Sequence, residues 1–132
     1  MSATIPASHR DIVENKNFAH VATLMKDGSP QVTPVWIDID GENILFNTAE
    51  GRQKDRNLKR DSRVALSVHD NANPYRYIQI RGKVTGHTTD GADAHIDKMA
   101  KKYLNLDDYP YRNPAEQRVI YTIQPEHVQV SG

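Results

Sequence analysis

The sequence predicts a mainly β domain, a small barrel of antiparallel strands carrying two or three helices. Three observations predict it. Two Asp-Gly turns, Asp27-Gly28 and Asp40-Gly41, separate three strand-like runs, and glycine tolerates the positive φ that such turns use. Further runs rich in Val, Ile and Thr follow later in the chain, and closing that many strands into a barrel removes exposed edges. Only one segment, beginning near Asp90, shows a full helical face.

Residues 8–16 read as a short helix with few apolar positions. Residues 18–25 form the first strand, 31–39 the second and 43–48 the third, so the two turns predict an antiparallel meander. Residues 51–60 break the β pattern. Their one large apolar side chain is Leu58, too little for a wide buried face, so a short and mostly exposed helix is expected. Alternation returns at 63–68, with Val64, Leu66 and Val68 on one side. Residues 71–74 read as loop and 77–85 as a further strand, with Gly82 marking a bulge or bend. From Ala92, the residues Ile96, Met99, Ala100, Tyr103 and Leu104 recur at helical spacing. Asp90 and Asp93 in the first turn and Lys98, Lys101 and Lys102 in the last suit the helix dipole. Residues 105–116 are a loop, and 118–123 and 127–130 are final strand segments interrupted by Pro125.

The 132 residues predict a single domain spanning 1–132. No apolar run approaches the ~20 residues of a membrane-spanning helix. No charged and then apolar leader opens the chain, so a cytoplasmic protein is expected. Cysteine is absent, which excludes disulfides and thiolate metal sites. The net charge is zero, yet residues 52–63 carry six basic and two acidic side chains, leaving +4 there and −4 in the remainder. One local basic segment in a neutral chain suits a small anionic ligand better than nucleic acid.

That segment is the most informative one. Arg52 and Lys54 are expected in the first turn of their helix, where cations oppose the dipole at a cost of about 0.3–1 kcal/mol each. A bound phosphate reverses the sign by meeting N–H groups, dipole and cations together. Asn57 is three residues after Lys54 and is expected on the same face. A solvated helix that keeps the protein soluble is the competing reading. A second feature is Gln31-Val32-Thr33-Pro34-Val35-Trp36. Pro34 cannot donate to a ladder, so it belongs at an edge, bulge or strand end. There the backbone can reach a ligand, or the segment is an ordinary edge strand with Trp36 in the core or a dimer contact. A third, Asn73-Pro74-Tyr75-Arg76-Tyr77, reads equally as a pocket or subunit seam and as a loop entering a strand. None of the six histidines stands at helical metal-ligand spacing, and no metal site is expected. No dinucleotide or P-loop signature and no nucleophile elbow appears. With no acid, base or nucleophile singled out, catalytic residues stay unassigned and a cofactor would carry the difficult step.

Taken together, Ala22-Thr23, Asp27-Gly28-Ser29-Pro30, Pro34-Val35-Trp36, Asp40-Gly41, Phe46-Asn47-Thr48, Lys54-Asp55-Arg56-Asn57-Leu58 and Arg63-Val64 resemble the N-terminal half of a known family. It is the split β-barrel family of the pyridoxamine 5'-phosphate oxidase type, in the branch that uses the deazaflavin coenzyme F420. The run YIQIRGKVTG at 77–86 is similar to a later strand of the same family. The likeness is dense over residues 18–86 and thinner after Thr88.

The resemblance implies a six-stranded antiparallel split barrel and a homodimer with cofactor at the subunit interface. It implies that Thr48, Arg52, Lys54 and Asn57 hold the cofactor phosphate and that Thr33, Pro34, Val35 and Trp36 flank the ring. Tyr77 and Gln79 would approach from the partner, and Arg56 and Arg60 would face the acidic tail of F420. The implied activity is hydride transfer from reduced F420 to a small electron-poor conjugated acceptor. Two alternatives stand beside it. One is an FMN enzyme, either a pyridoxamine-phosphate oxidase or a flavin reductase, although residues 118–132 lack the basic cluster that the oxidases use for substrate. The other is a non-catalytic cofactor-binding barrel.

Overall fold

A computed structural model describes residues 3–132. A 3-10 turn, Ala7–His9, leads into helix α1, Arg10–Glu14. Strands β1, Ala19–Leu24, and β2, Pro30–Val35, form the first hairpin. Strands β3, Ile37–Asp40, and β4, Asn43–Ala49, form the second. Helix α2, Gln53–Arg60, follows, then β5, Arg63–Asp70, and the long β6, Asn73–Thr88. Helix α3, Ala92–Leu104, and the long β7, Arg118–Ser131, complete the order.

All seven strands form one antiparallel, strongly curled sheet in the order β2-β1-β5-β6-β7-β4-β3. Its two edges, β2 and β3, are consecutive in the chain and are separated only by Trp36. The single strand expected over 31–39 is therefore broken. Its first half pairs with β1, Val35 facing Ala19, and its second half with β4, Ile37 facing Phe46. Counted as one bent strand, β2 and β3 give the expected six-stranded barrel. The expected meander is corrected in the same way, because the middle strand reaches its two neighbours with different halves. Tyr103 holds the bend: its hydroxyl accepts the Ile37 N–H at 3.1 Å and donates to the Asn17 carbonyl at 2.8 Å. Its ring stacks on Trp36 at 5.3 Å and 7°.

Alternation along the strands fills the barrel. Val21, Ile37, Ile44, Phe46, Val68, Ile78, Ile80, Tyr121 and Ile123 are all fully buried, and Phe46 stacks on Tyr121 with centroids 5.5 Å apart. Helix α3 adds a smaller cluster of Ile96, Met99 and Tyr103 against Trp36 and Tyr109. Leu104, expected on the same face, is 39% exposed because the helix ends there, with Asn105 in the left-handed region at φ 58°. The helix also begins later than expected, at Ala92, since Gly91 adopts φ 73° and Asp90 belongs to the preceding turn.

Pro125 does not interrupt β7. Opposite it, β6 shifts register between Arg81 and Gly82, and the strand bends through. A Cβ on Gly82 would lie 2.2 Å from the Gln124 carbonyl oxygen, so only glycine fits this crossing. Gly82→Ala is expected to lower stability by about 1–3 kcal/mol, read as a lower urea midpoint at unchanged slope.

Lys102 lies half-buried in the seam between α3 and the bend, donating to the carbonyls of Ile37 (2.7 Å) and Val13 (3.0 Å). Burial pulls its ammonium down to about 8 from the usual 10.5. Between those values the unfolded chain holds a proton that the folded one has released, so stability rises with pH. Relative to Lys102→Met, the native protein should gain melting temperature as pH rises from 8 to 10.5.

Candidate functional site

The cavity at the site lies where the bend, β4, α2, α3 and the loop before β7 meet. Pro34, Val35 and Trp36 form one wall, and Thr48, Arg52 and Lys54 another. Met99, Tyr109 and Arg118 also line it, and its volume is about 210 Å³.

Helix α2 owes its position to two buried polar side chains. Asp55 folds back so that Oδ2 accepts the Gly51 N–H at 2.8 Å, while Oδ1 accepts the Tyr121 hydroxyl at 2.6 Å. Burial works to raise the Asp55 pKa, but the Tyr121, Gly51 and Lys59 contacts outweigh it and hold the carboxyl below its usual value. Asn57 donates to Thr23 Oγ1 at 3.0 Å and accepts from Gln53 and Arg60. The expectation that Asn57 faces a ligand is thus corrected. It shares a side of the helix with Lys54 but is fully buried, its amide tying α2 to β1 through Thr23. The helix is also less exposed than expected, since Asp55, Asn57 and Leu58 are all buried.

Lys54, in the first turn, reaches across to β2 and donates to Thr33 Oγ1 at 2.8 Å. No carboxylate pairs with it among the described residues. Burial first, and then the neighbouring Arg52, lower its pKa. Arg52 is the residue capping the helix start rather than part of the first turn. Its guanidinium meets Glu116 at 2.6 Å. Arg56 is exposed and donates to Gln53, and Arg60 donates to the Leu24 carbonyl. Tyr77 and Gln79 lie on β6 away from this cavity, Gln79 beside a second cleft with Arg81 and Glu126. In the third sequence feature, Arg76 clamps α1 by pairing with Asp11, and Tyr75 is 84% exposed.

Sequence reasoning missed Arg118, Asn47, Met99 and Tyr109. Arg118 is buried, packs over the Tyr109 ring and donates from Nε to Asn47 Oδ1 at 2.8 Å. Burial lowers its pKa. Two buried polar atoms of residues lining the cavity, Thr48 Oγ1 and Arg118 Nη1, have no hydrogen-bond partner among the described residues. Buried polar atoms are seldom left unpaired, so these two fit an oxygen-bearing ligand. The cations Lys54, Arg52 and Arg118 around them fit an anionic one. No cluster of three or more metal-ligating side chains occurs among the described residues, and no helix there is long and apolar enough to cross a membrane.

Comparison with known proteins identifies the family and the fold. Residues 5–132 match the family described as "Pyridoxamine 5'-phosphate oxidase". The chain belongs to that family, whose members bind flavin-type cofactors. It is 27% identical over 117 residues to a "Pyridoxamine 5'-phosphate oxidase homolog" of Saccharomyces cerevisiae. That alignment takes in 80% of this chain and 58% of the yeast protein, so the chain spans little more than half of that relative. A solved structure titled "F420 Reductase" superposes with a TM-score of 0.84 at 35% identity, covering 95% of this chain and 98% of the other. A conserved hypothetical protein of Mycobacterium tuberculosis shares the fold, with a TM-score of 0.74 at 20% identity over 98% of this chain and 86% of the other.

Asp55→Ala should leave the Gly51 N–H and the Tyr121 hydroxyl unpaired and cost about 2–4 kcal/mol in denaturant unfolding at neutral pH. The gap to the native protein should close as pH falls below the usual aspartate value of 3.8, because the native carboxylate then becomes protonated.

Proposed function

We propose that this chain is an F420-dependent oxidoreductase that passes a hydride from the reduced coenzyme to a small, electron-poor conjugated acceptor. The observation that carries the reading is the cation-lined cavity in which Thr48 Oγ1 and Arg118 Nη1 await partners beside a Lys54 with no carboxylate. The 35% identity to a structure titled "F420 Reductase", across nearly its whole length, favours the deazaflavin over FMN.

The coenzyme, when bound, supplies the hydride chemistry. The chain's own residues bind, orient and exclude water. Lys54, Thr48 and Arg52 hold the phosphate, with Thr33 steadying the Lys54 ammonium. Pro34, Val35 and Trp36 give the ring a flat wall, and Trp36 is itself immobilised by its stack on Tyr103. Arg56 and Arg60, on the outer side of α2, face the acidic tail.

A volume of about 210 Å³ falls below the ~300–1,000 Å³ of a complete small-molecule pocket. In this reading one chain supplies only part of the pocket, and a second copy completes it as a homodimer, bringing Tyr77 and Gln79 to the ring. Phe18 and Tyr111, 46% and 68% exposed at the cavity rim, are apolar surface that such a partner would cover.

The one tryptophan, Trp36, lines the cavity, so its fluorescence should report binding directly. F420 is expected to quench it at lower concentration than FMN. Lys54→Ala should weaken F420 binding by about 1.5–3 kcal/mol. Arg52→Ala should cost less, because Glu116 already engages that guanidinium. Much tighter quenching by FMN would replace F420 with the flavin in this reading.

A further inference from the structure

Arg118 sits at the end of a chain of hydrogen bonds that begins on β3, two strands away in the sheet. Its first member is Asp38 on β3. Asp38 Oδ2 is 3.1 Å from His95 Nε2 and 2.9 Å from the Lys98 ammonium, and Oδ1 accepts the Ile39 N–H at 2.8 Å. Burial works to raise the Asp38 pKa, yet the His95, Lys98 and Ile39 contacts overcome it and hold the group ionised. His95 Nδ1 lies 3.2 Å from Asn47 Nδ2. Asn47 Oδ1 accepts the Arg118 Nε–H at 2.8 Å, and the Asn47 carbonyl faces Nη2 at 3.4 Å.

The directions in this chain follow from groups whose roles are not ambiguous. Arg118 Nε can only donate, so it requires the amide oxygen of Asn47. The Ala92 carbonyl can only accept, and it lies 2.9 Å from the Asn47 amide nitrogen. These two contacts fix the amide. Its second N–H then points at His95 Nδ1, which must be the unprotonated nitrogen. The ring proton therefore lies on Nε2 and is donated to Asp38. Every member has one direction available, and the sequence runs out only at Arg118 Nη1, which has no partner at the cavity.

We infer that Arg118 contacts an anionic oxygen of the ligand and that Asp38 and His95 are positioning residues acting on it through Asn47. The inference rests on the cavity being the cofactor site. A free guanidinium has several rotamers, and fixing one before the ligand arrives removes an entropy cost from binding. Deleting a link in the chain should therefore weaken the ligand through Arg118 and by no other route. A residue that merely supports the fold would act whether or not Arg118 is present.

A double-mutant cycle separates these cases. Affinity for F420 and for FMN is measured by Trp36 quenching in the native protein, in Arg118→Met, in His95→Phe and in the double variant, each checked by thermal melting. Arg118→Met should weaken the cofactor roughly 10- to 100-fold, the range of one lost charged hydrogen bond. His95→Phe should weaken it about fivefold in the native background and not at all in the Arg118→Met background. His95→Gln, which keeps an acceptor for Asn47 and a donor for Asp38, should restore near-native affinity. An equal loss in both backgrounds, or no loss from His95→Phe beside a clear loss from Arg118→Met, overturns the relay and leaves the cofactor site standing. Unchanged affinity in both Lys54→Ala and Arg118→Met overturns the site itself. Should the His95 variants not fold, ¹⁵N imidazole spectra of the native protein decide: protonated Nε2 and bare Nδ1 support the relay, and the opposite tautomer contradicts it.

Discussion

The break at Trp36 is the constraint on which the remainder of the structure depends. One extended segment serves both edges of the sheet, and it can do so only by turning between Val35 and Ile37. An open curled sheet would expose two strands of unpaired amides and carbonyls, an invitation to edge-to-edge association. Joining the edges through a single residue shortens each of them, with β2 paired only to β1 and β3 only to β4, and leaves a gap in the ladder at the turn. Tyr103 fills the gap from α3, taking the Ile37 amide on its hydroxyl and the indole on its ring face. Burial and the nearby Asp38 push that hydroxyl up to about 12, so it keeps its proton and its donor role across the neutral range.

The same turn builds the cavity. Trp36 cannot sit in a regular pleat there, so its ring and the backbone of Pro34 and Val35 form an apolar wall. Helix α2 approaches from the other side, held by Asp55 to Tyr121 and by Asn57 to Thr23. This spends the helix's buried polar groups on the scaffold and leaves Lys54 facing inward without an acidic partner. Placing an ammonium in a half-buried position is unfavourable for the empty chain. Folding tolerates it with Thr33 Oγ1 accepting a hydrogen bond from the ammonium, and in the proposed function an anionic group would offset the remainder. The proposed function thus rests on a local imbalance of charge that the fold creates and does not itself neutralise.

Much of this was legible in the sequence. The Asp-Gly turns, the strand alternation and the face of α3 were readable because each is a local pattern with a fixed period. Gly82 was readable as a bulge because a glycine inside a strand has few other uses. Lys54 and Thr48, which line the cavity, were singled out partly through charge and partly through resemblance. Asn57 was read as facing a ligand because spacing on a short helix does not say which of its positions are buried against a strand. The break at Trp36 was hidden because both halves of the segment are good strand sequence. Arg118, Asn47, Asp38 and His95 were not found at all. They lie up to 80 positions apart in the chain; the sheet order, which sets β4 between β3 and β7, brings Asp38, Asn47 and Arg118 together, and α3 adds His95. A search for paired histidines could not have detected a histidine whose partners are an aspartate and an amide.

The most direct measurement is a crystal structure grown or soaked with coenzyme F420. The account predicts its phosphate within hydrogen-bonding distance of Lys54 Nζ and Thr48 Oγ1, with the deazaflavin ring lying along Pro34, Val35 and Trp36 at a junction of two subunits. Coenzyme bound elsewhere, with Lys54 and Thr48 touching no part of it, would contradict the account.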